Sequence, residues 1–475
     1  MPNATPNADP LWSLVDAYRP AFEAFSDRIW DMPELGFQEH RSAAEHVSML
    51  EQHGFRVTTG LAGMPTALVG EAGDEGPVIA ILGEFDALPG LSNEAGIAEH
   101  RPIGPSGHAC GHNLLGAASM LAAVAVKDWL AAQGLKGRVR YYGCPAEENG
   151  AGKLFMVREG VFDDVDIALS WHPAPFAAVN PAVSLANVEV DFTFHGRASH
   201  AAAAPHLGRS ALDAVELMNV GVNYMREHMP SDARIHYALL DGGGVAPNVV
   251  QARAKVRYLI RARELAELHT LIARVKNVAA GAALMTETRV EHQTVSGMSN
   301  LLANPPLEQA LHDSLTRLGP PEWDAEDRRF AEEIRATLRP DDIAGAFLRF
   351  GLKPDLNVPL ADRIIPLGGK SNAGVGSTDV GDVSWVVPTA QIRGATYAVG
   401  TPGHSWQLTA QGKSGSAHKG MVHAAKVLAA TAAEAIRNPA LIAAAKADHA
   451  ARIAEQPYIC PLDADVPPAL DMAHG

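Results

Sequence analysis

Apolar residues recur at helical spacing near the start of the chain: Leu14, Val15, Phe22, Phe25 and Ile29, then Ala43, Ala44, Val47 and Leu50. That period predicts two helices within 12–54, separated by the break at Met32-Pro33-Glu34. The pattern then changes. Val78-Ile79-Ala80-Ile81-Leu82 is an unbroken apolar run with turn residues after it, as expected of a strand buried on both faces. Positions 138–143 and 166–171 read as further strands, with helical segments between them. The Ala-rich stretch 114–126 reads as a buried helix, too short to span a bilayer. Strand and helix in alternation predict a mainly parallel sheet covered on both sides.

Near position 186 the period switches. Positions 188–194, 249–260 and 288–295 alternate polar with apolar residues. Helices are expected around Ala211, Val215, Leu217 and Met218, and over 264–280. This predicts an antiparallel sheet with helices on one face. From about 306 the pattern returns to long helices and closes on a strong one over 424–435. The expected fold class is α/β, one domain over 1–185 and 300–475 interrupted by a smaller α+β domain over 186–299.

A chain of 475 residues has room for two such domains, and 47% hydrophobic with 20% charged residues describes a soluble globular protein. The net charge of −15, with no long basic run, argues against nucleic acid as a partner. No segment calls for a membrane. Cys110, Cys144 and Cys460 are too few for a disulfide framework and are expected to be reduced. Positions 1–11 lack the basic and apolar character of a signal peptide, so a cytoplasmic location is expected.

The densest chemistry lies in Gly107-His108-Ala109-Cys110-Gly111-His112-Asn113. Cysteine and histidine suit borderline-soft divalent metals, and Cys110 and His112 can reach one site from a loop. Taken alone, the stretch could equally be a loop with a buried thiol and hydrogen-bonded histidines. Glu147 and Glu148 follow a strand-like run, between Cys144-Pro145 and Gly150-Ala151-Gly152. Adjacent glutamates can divide the work of a two-metal hydrolytic site, one binding an ion and the other facing substrate. His172 and Asp86 also sit at strand ends. His172 alone would more often be a core histidine, and Asp86 could ligate, orient a histidine or cap a turn. Gly369-Lys370-Ser371 and Gly412-Lys413-Ser414 fail as phosphate loops, because Ile364 and Gln407 stand where glycine is required.

The ordered set Glu84-Phe85-Asp86-Ala87-Leu88-Pro89, His108 to Asn113, Pro145-Ala146-Glu147-Glu148, His172, Gly196-Arg197-Ala198-Ser199-His200-Ala201 and Gly403-His404-Ser405 resembles one metallopeptidase family. That family comprises aminoacylases, glutamate carboxypeptidases and amino-acid-conjugate amidohydrolases. Trp30 to Glu39 fits it too, so the likeness spans nearly the whole chain. It implies a phosphorylase/hydrolase-like catalytic domain and a ferredoxin-like inserted domain that serves as dimerisation module or lid. It also implies two divalent ions per subunit, Zn²⁺ or Mn²⁺, on Cys110, His112, Glu148, His172 and His404, with Glu147 as general base and Asp86 behind the ligands. His200 corresponds to a histidine that reaches a partner's site to hold the oxyanion, Asn248 to a polar residue of the same pocket, and Arg261 to a substrate-carboxylate contact.

One departure narrows the substrate. Asn113 stands where many conjugate hydrolases carry aspartate, and Cys110-Gly111-His112-Asn113 with the segment 376–384 resembles the aminobenzoyl-glutamate hydrolase branch. The expected activity is metal-dependent cleavage of an N-acyl or N-aroyl amino acid or dipeptide. The expected assembly is a homodimer or a heteromer with a related subunit. Two other classes compete: a metal-dependent hydrolase of a non-peptide C–N bond, of aryl-amine or deaminase type, and a non-catalytic partner subunit. Retention of Glu147 argues against the last.

Overall fold

The computed structural model describes residues 9–368 and 376–471. Helices α1 (Pro10–Trp30) and α2 (His40–Gln52) lead into strands β1 (Arg56–Thr59), β2 (Leu68–Ala72) and β3 (Val78–Glu84). A short pair, β4 (Leu88–Pro89) and β5 (Ser106–Gly107), precedes α3 (His112–Gln133), β6 (Arg138–Cys144), α4 (Gly152–Arg158), β7 (Ile167–Ala174) and β8 (Ala178–Val179). Next come β9 (Ala186–His195), α5 (Ala211–Met225), β10 (Arg234–Asp241), β11 (Arg253–Ala262), α6 (Leu265–Met285) and β12 (Arg289–Met298). The chain continues through α7 (Pro305–Leu318), α8 (Ala325–Arg335), α9 (Pro340–Arg349), α10 (Val380–Val386) and β13 (Thr389–Ala395). It closes with α11 (Trp406–Gln411), α12 (Gly415–Arg437) and α13 (Pro439–Glu455).

Seven strands form one sheet in the order β1-β2-β6-β3-β7-β13-β8. Its centre, β6-β3-β7-β13, is parallel, and the outer pairings are antiparallel. Strand β3 shows why the run 78–82 is continuously apolar. Ile79 and Ile81 face the core packed by α1, α3 and α12, whereas Val78, Ala80 and Leu82 face a second core beside α4 and α10. Helix α3 is long and apolar enough to cross a membrane by composition, but 83% of that apolar window is buried in the fold. It is a core helix.

Strands β10-β11-β9-β12 form a separate antiparallel sheet. Strand β11 alternates buried and partly exposed positions along its length, and α5 and α6 cover its apolar face with Val215, Met218, Leu268 and Val275. Strand β11 thus turns one face to the core, which is the periodicity seen in the sequence.

Several strands differ from the expectation. The region after 306 is not helical throughout, because β13 lies between β7 and the edge strand β8 in the large sheet. Its sequence, Thr-Ala-Gln-Ile-Arg-Gly-Ala, has no apolar run. Gln391 and Arg393 are accommodated by Asn180, which donates to Gln391 Oε1 at 2.8 Å and accepts from Arg393 Nε at 2.8 Å. The alternating run expected over 249–260 forms a strand only from Arg253. Edge strand β10 is mostly exposed and shows little alternation to mark it.

Candidate active site

The expected ligand residues converge at the carboxyl edge of the large sheet. Gly111 caps α3 in the left-handed region at φ 82°, and a Cβ there would meet Pro173 Cγ at 2.9 Å. Glycine therefore lets the chain turn directly from Cys110 to His112. His172 arrives on β7, and Cys110 Sγ lies 3.2 Å from its Nε2. His404 has φ 54°, and its Nε2 lies 3.2 Å from Glu148 Oε2.

The Glu147-Glu148 turn is held from several sides. Ala146 and Ala151 both have positive φ, and a Cβ on Gly152 would fall 2.1 Å from the Pro145 carbonyl oxygen. Ala146 N donates to the buried Glu39 carboxylate at 2.8 Å, and Glu148 N donates to Asp86 Oδ2 at 2.9 Å. The other Asp86 oxygen lies 2.8 Å from His112 Nδ1. Asp86 thus fixes the ring of His112 and the backbone of Glu148 together, with Nε2 of His112 left to point into the site.

Two groups of potential ligand atoms share Cys110: Cys110, His112 and His172, and Cys110, Glu148 and His404. Within each group the atoms lie within 4.8 Å of one another. His112 Nε2, Glu148 Oε1 and Glu84 Oε2 are buried without a hydrogen-bond partner. His112 Nε2 faces Glu84 Oε2 at 3.3 Å, Glu148 Oε1 at 3.9 Å and Glu147 Oε2 at 4.0 Å. Buried polar atoms are rarely left unpaired, and this convergence of thiol, imidazole and carboxylate fits divalent metal ions. Burial and the nearby Glu148 push the Cys110 thiol up, while burial, Arg393 and His112 hold His172 well below the usual imidazole range, in the neutral form a ligand needs. Burial, Glu84 and Glu148 raise Glu147 well above the ordinary carboxyl range.

The site opens into a cleft of about 1000 Å³ between the two sheets, lined by Cys110, Glu147, His172 and His404 on one side and by Glu189, Arg257 and Arg261 on the other. Arg261 donates to Ser377 Oγ at 3.2 Å. His200 and Asn248 do not line this cleft within one chain. They lie on an exposed loop region of the smaller sheet, where His200 Nδ1 accepts from Ala202 N and Ala203 N, and the Asn248 carbonyl accepts from Ala201 N. Lys413 pairs with Asp31 at 2.6 Å and Ser414 caps α12, which gives that Gly-Lys-Ser triplet a structural use. Gly369-Lys370-Ser371 lies outside the described residues.

Sequence reasoning missed a buried ionic triad. Lys153 Nζ lies 2.6 Å from Glu84 Oε1 and 2.6 Å from Asp379 Oδ1, with all three side chains at most 1% exposed. Asp379 also accepts from Lys153 N at 2.9 Å. The acidic residues of the segment 378–382 thus have structural uses. Asp379 braces α4 behind Glu147, and Asp382 accepts from Ser299 N, Ser299 Oγ and Tyr458 OH. Glu39 and Arg393 were missed too. A charged residue directly before an apolar run, as Lys153 is before Leu154-Phe155-Met156-Val157, was the available signal.

The sequence profile of peptidase family M20/M25/M40 matches residues 80–351. The chain is 46% identical over 468 residues to one of the subunits of the p-aminobenzoyl-glutamate hydrolase of Escherichia coli (strain K12), covering 96% of this chain and 97% of that protein. It is 28% identical over 457 residues to Xaa-Arg dipeptidase of Mus musculus, covering 93% and 92%. A dinuclear metal-binding peptidase from Bacillus subtilis superposes with a TM-score of 0.58 at 16% identity, covering 89% of this chain and 99% of that one.

Proposed function

The chain belongs to peptidase family M20/M25/M40 and is a metal-dependent hydrolase, and from that premise we propose that it cleaves the amide bond of an N-aroyl or N-acyl amino acid resembling p-aminobenzoyl-glutamate. The observation that carries this reading is the convergence of Cys110, His112, Glu148, His172 and His404 on one cleft, with Glu147 beside them. Those five residues would hold two divalent ions, and Cys110 belongs to both groups of potential ligand atoms. When bound, the ions lower the pKa of water and polarise the scissile carbonyl.

The remaining work falls to the chain itself. Glu147 faces the cleft and takes a proton from the attacking water as its oxygen bonds to the amide carbon. When the C–N bond breaks, Glu147 passes that proton to the leaving nitrogen, so a free amine and a carboxylic acid result, and the acid then loses its proton to solvent. Asp86 keeps His112 in the tautomer with Nε2 free, and Glu39 holds the turn that presents Glu147. Arg261 takes a substrate carboxylate from the opposite wall.

His200 and Asn248 act on the cleft of a second copy or of a related chain, a reading supported by their place outside their own cleft. Exposed Tyr237, Leu239 and Leu240 on edge strand β10 offer an apolar surface for such pairing. A related chain is the alternative to a second copy because the Escherichia coli relative is one component of a hydrolase with more than one kind of chain. Zinc suits the Cys110 thiolate, and manganese suits the carboxylate and imidazole set. The test is chelation, reloading with Zn²⁺ or Mn²⁺ in turn, and product analysis on a panel of N-acyl glutamates, other N-acyl amino acids and dipeptides. Release of the free amino acid supports the reading, whereas release of ammonia alone would favour deaminase-type chemistry.

A further inference from the structure

The floor of the cleft carries a cation that the steps above do not use. Arg393 on β13 stands in parallel register with His172 on β7, and both side chains line the cleft. Its guanidinium is gripped from one edge. Nε donates to Asn180 Oδ1 at 2.8 Å, and Asn180 is itself fixed by Gln391 through Nδ2 to Oε1 at 2.8 Å and through backbone N to O at 2.8 Å. This support leaves the two terminal amino groups for whatever enters the cleft.

Among the described residues no carboxylate forms an ion pair with Arg393, in contrast to Arg257, which is neutralised by Asp191 at 2.7 Å. The titratable groups nearest to it in effect, Tyr397, Cys110 and Glu147, belong to the cleft wall and to the catalytic machinery, and Arg349 adds like charge. A half-buried cation without a counter-ion is costly, and a planar guanidinium fits a carboxylate with two parallel hydrogen bonds. Arg261 faces the same cleft from the other sheet, also without an ion pair among the described residues. Two such cations on opposite walls match an amino acid with two acid groups.

We propose that Arg393 is a specificity-determining residue that binds a second carboxylate of the substrate, so that the cleft selects amides of dicarboxylic amino acids such as glutamate. The proposal rests on the amidohydrolase reading for its substrate, but its contact can be measured without turnover. The probes are L-glutamate and L-glutamine, which differ by one carboxylate, titrated calorimetrically into the metal-loaded wild type, Arg393→Met and Arg393→Lys. The wild type should favour glutamate. Arg393→Met should weaken glutamate binding on the order of 10–100-fold, to the level of glutamine, with glutamine binding and metal content unchanged. Arg393→Lys should recover part of the loss, and Asn180→Ala, which releases the guanidinium, should weaken glutamate in the same direction if Arg393→Met fails to fold.

Hydrolysis of p-aminobenzoyl-glutamate against p-aminobenzoyl-glutamine separates the two readings. A rise in KM for the glutamate compound alone in Arg393→Met supports the assignment. Wild-type preference in Arg393→Met, or in Arg393→Lys and Asn180→Ala together, overturns it while leaving the amidohydrolase reading intact. Arg393-dependent glutamate binding by a protein that cleaves no N-acyl amino acid would instead overturn the proposed function and leave the assignment standing.

Discussion

Replacing Lys153 by methionine removes the positive charge between Glu84 and Asp379 in a triad closed to water. Each 2.6 Å contact is worth about 6 kcal/mol of attraction at an effective dielectric of about 20. Much of that offsets the cost of taking the ammonium out of water, so the net penalty should resemble that of breaking other buried pairs, about 3–5 kcal/mol. Methionine keeps the stem's packing, so the loss reports charge and not a cavity. The assay is urea denaturation of the chelated protein for wild type, Lys153→Met, Asp379→Asn and the double variant. Coupling should be about 2–3 kcal/mol, because neutralising Asp379 removes one of the two carboxylates that Lys153→Met strands. A single variant within about 1 kcal/mol of wild type, with coupling below about 0.5 kcal/mol, would refute the reasoning.

The other predictions bear on separate parts of the molecule. Cys110 should resist alkylation in the metal-loaded protein and react after chelation, while buried Cys144 stays protected in both states; equal Cys110 labelling in both would remove the sulfur from the metal site. His200→Ala should keep its metal and lose roughly 10²–10³-fold in kcat, and mixing it with Glu147→Gln should restore activity once exchange of chains is demonstrated; silence after exchange would confine His200 to its own chain. His423 is buried, its Nε2 lies 2.7 Å from the Gly319 carbonyl oxygen, and burial lowers its pKa to about 4. The unfolded chain therefore takes up the proton first, and stability is lost as pH falls from the ordinary histidine range towards 4. From pH 7.5 to 5.0 the wild type should lose about 2 kcal/mol more than His423→Phe in urea denaturation, and equal losses would contradict the assignment.

How much of this could be read from residues alone depends on what each residue does for its neighbours. The motifs around Cys110, Glu147 and His404 announce themselves because thiol, imidazole and paired carboxylates packed beside glycine are a rare combination of residue types. Strand β3 is legible because both of its faces meet apolar cores. Strand β13 is not, because Gln391 and Arg393 are made acceptable by Asn180, more than two hundred positions away. The same holds for Lys153, whose partners Glu84 and Asp379 lie on other elements. Edge strand β10 escaped notice because an exposed strand buries little and so leaves little alternation. Long-range pairing of polar groups is what periodicity cannot report.

The central claim is that Glu147 moves the proton while its neighbours hold the ions, and one variant measured twice tests it. Glu147→Gln should be purified with metal, counted by elemental analysis, and assayed on p-aminobenzoyl-glutamate. The account predicts a metal content equal to wild type and a kcat lower by about 10²–10⁴-fold, since an amide cannot accept the proton from water. Loss of the ions from Glu147→Gln, or full metal with wild-type turnover, would contradict it.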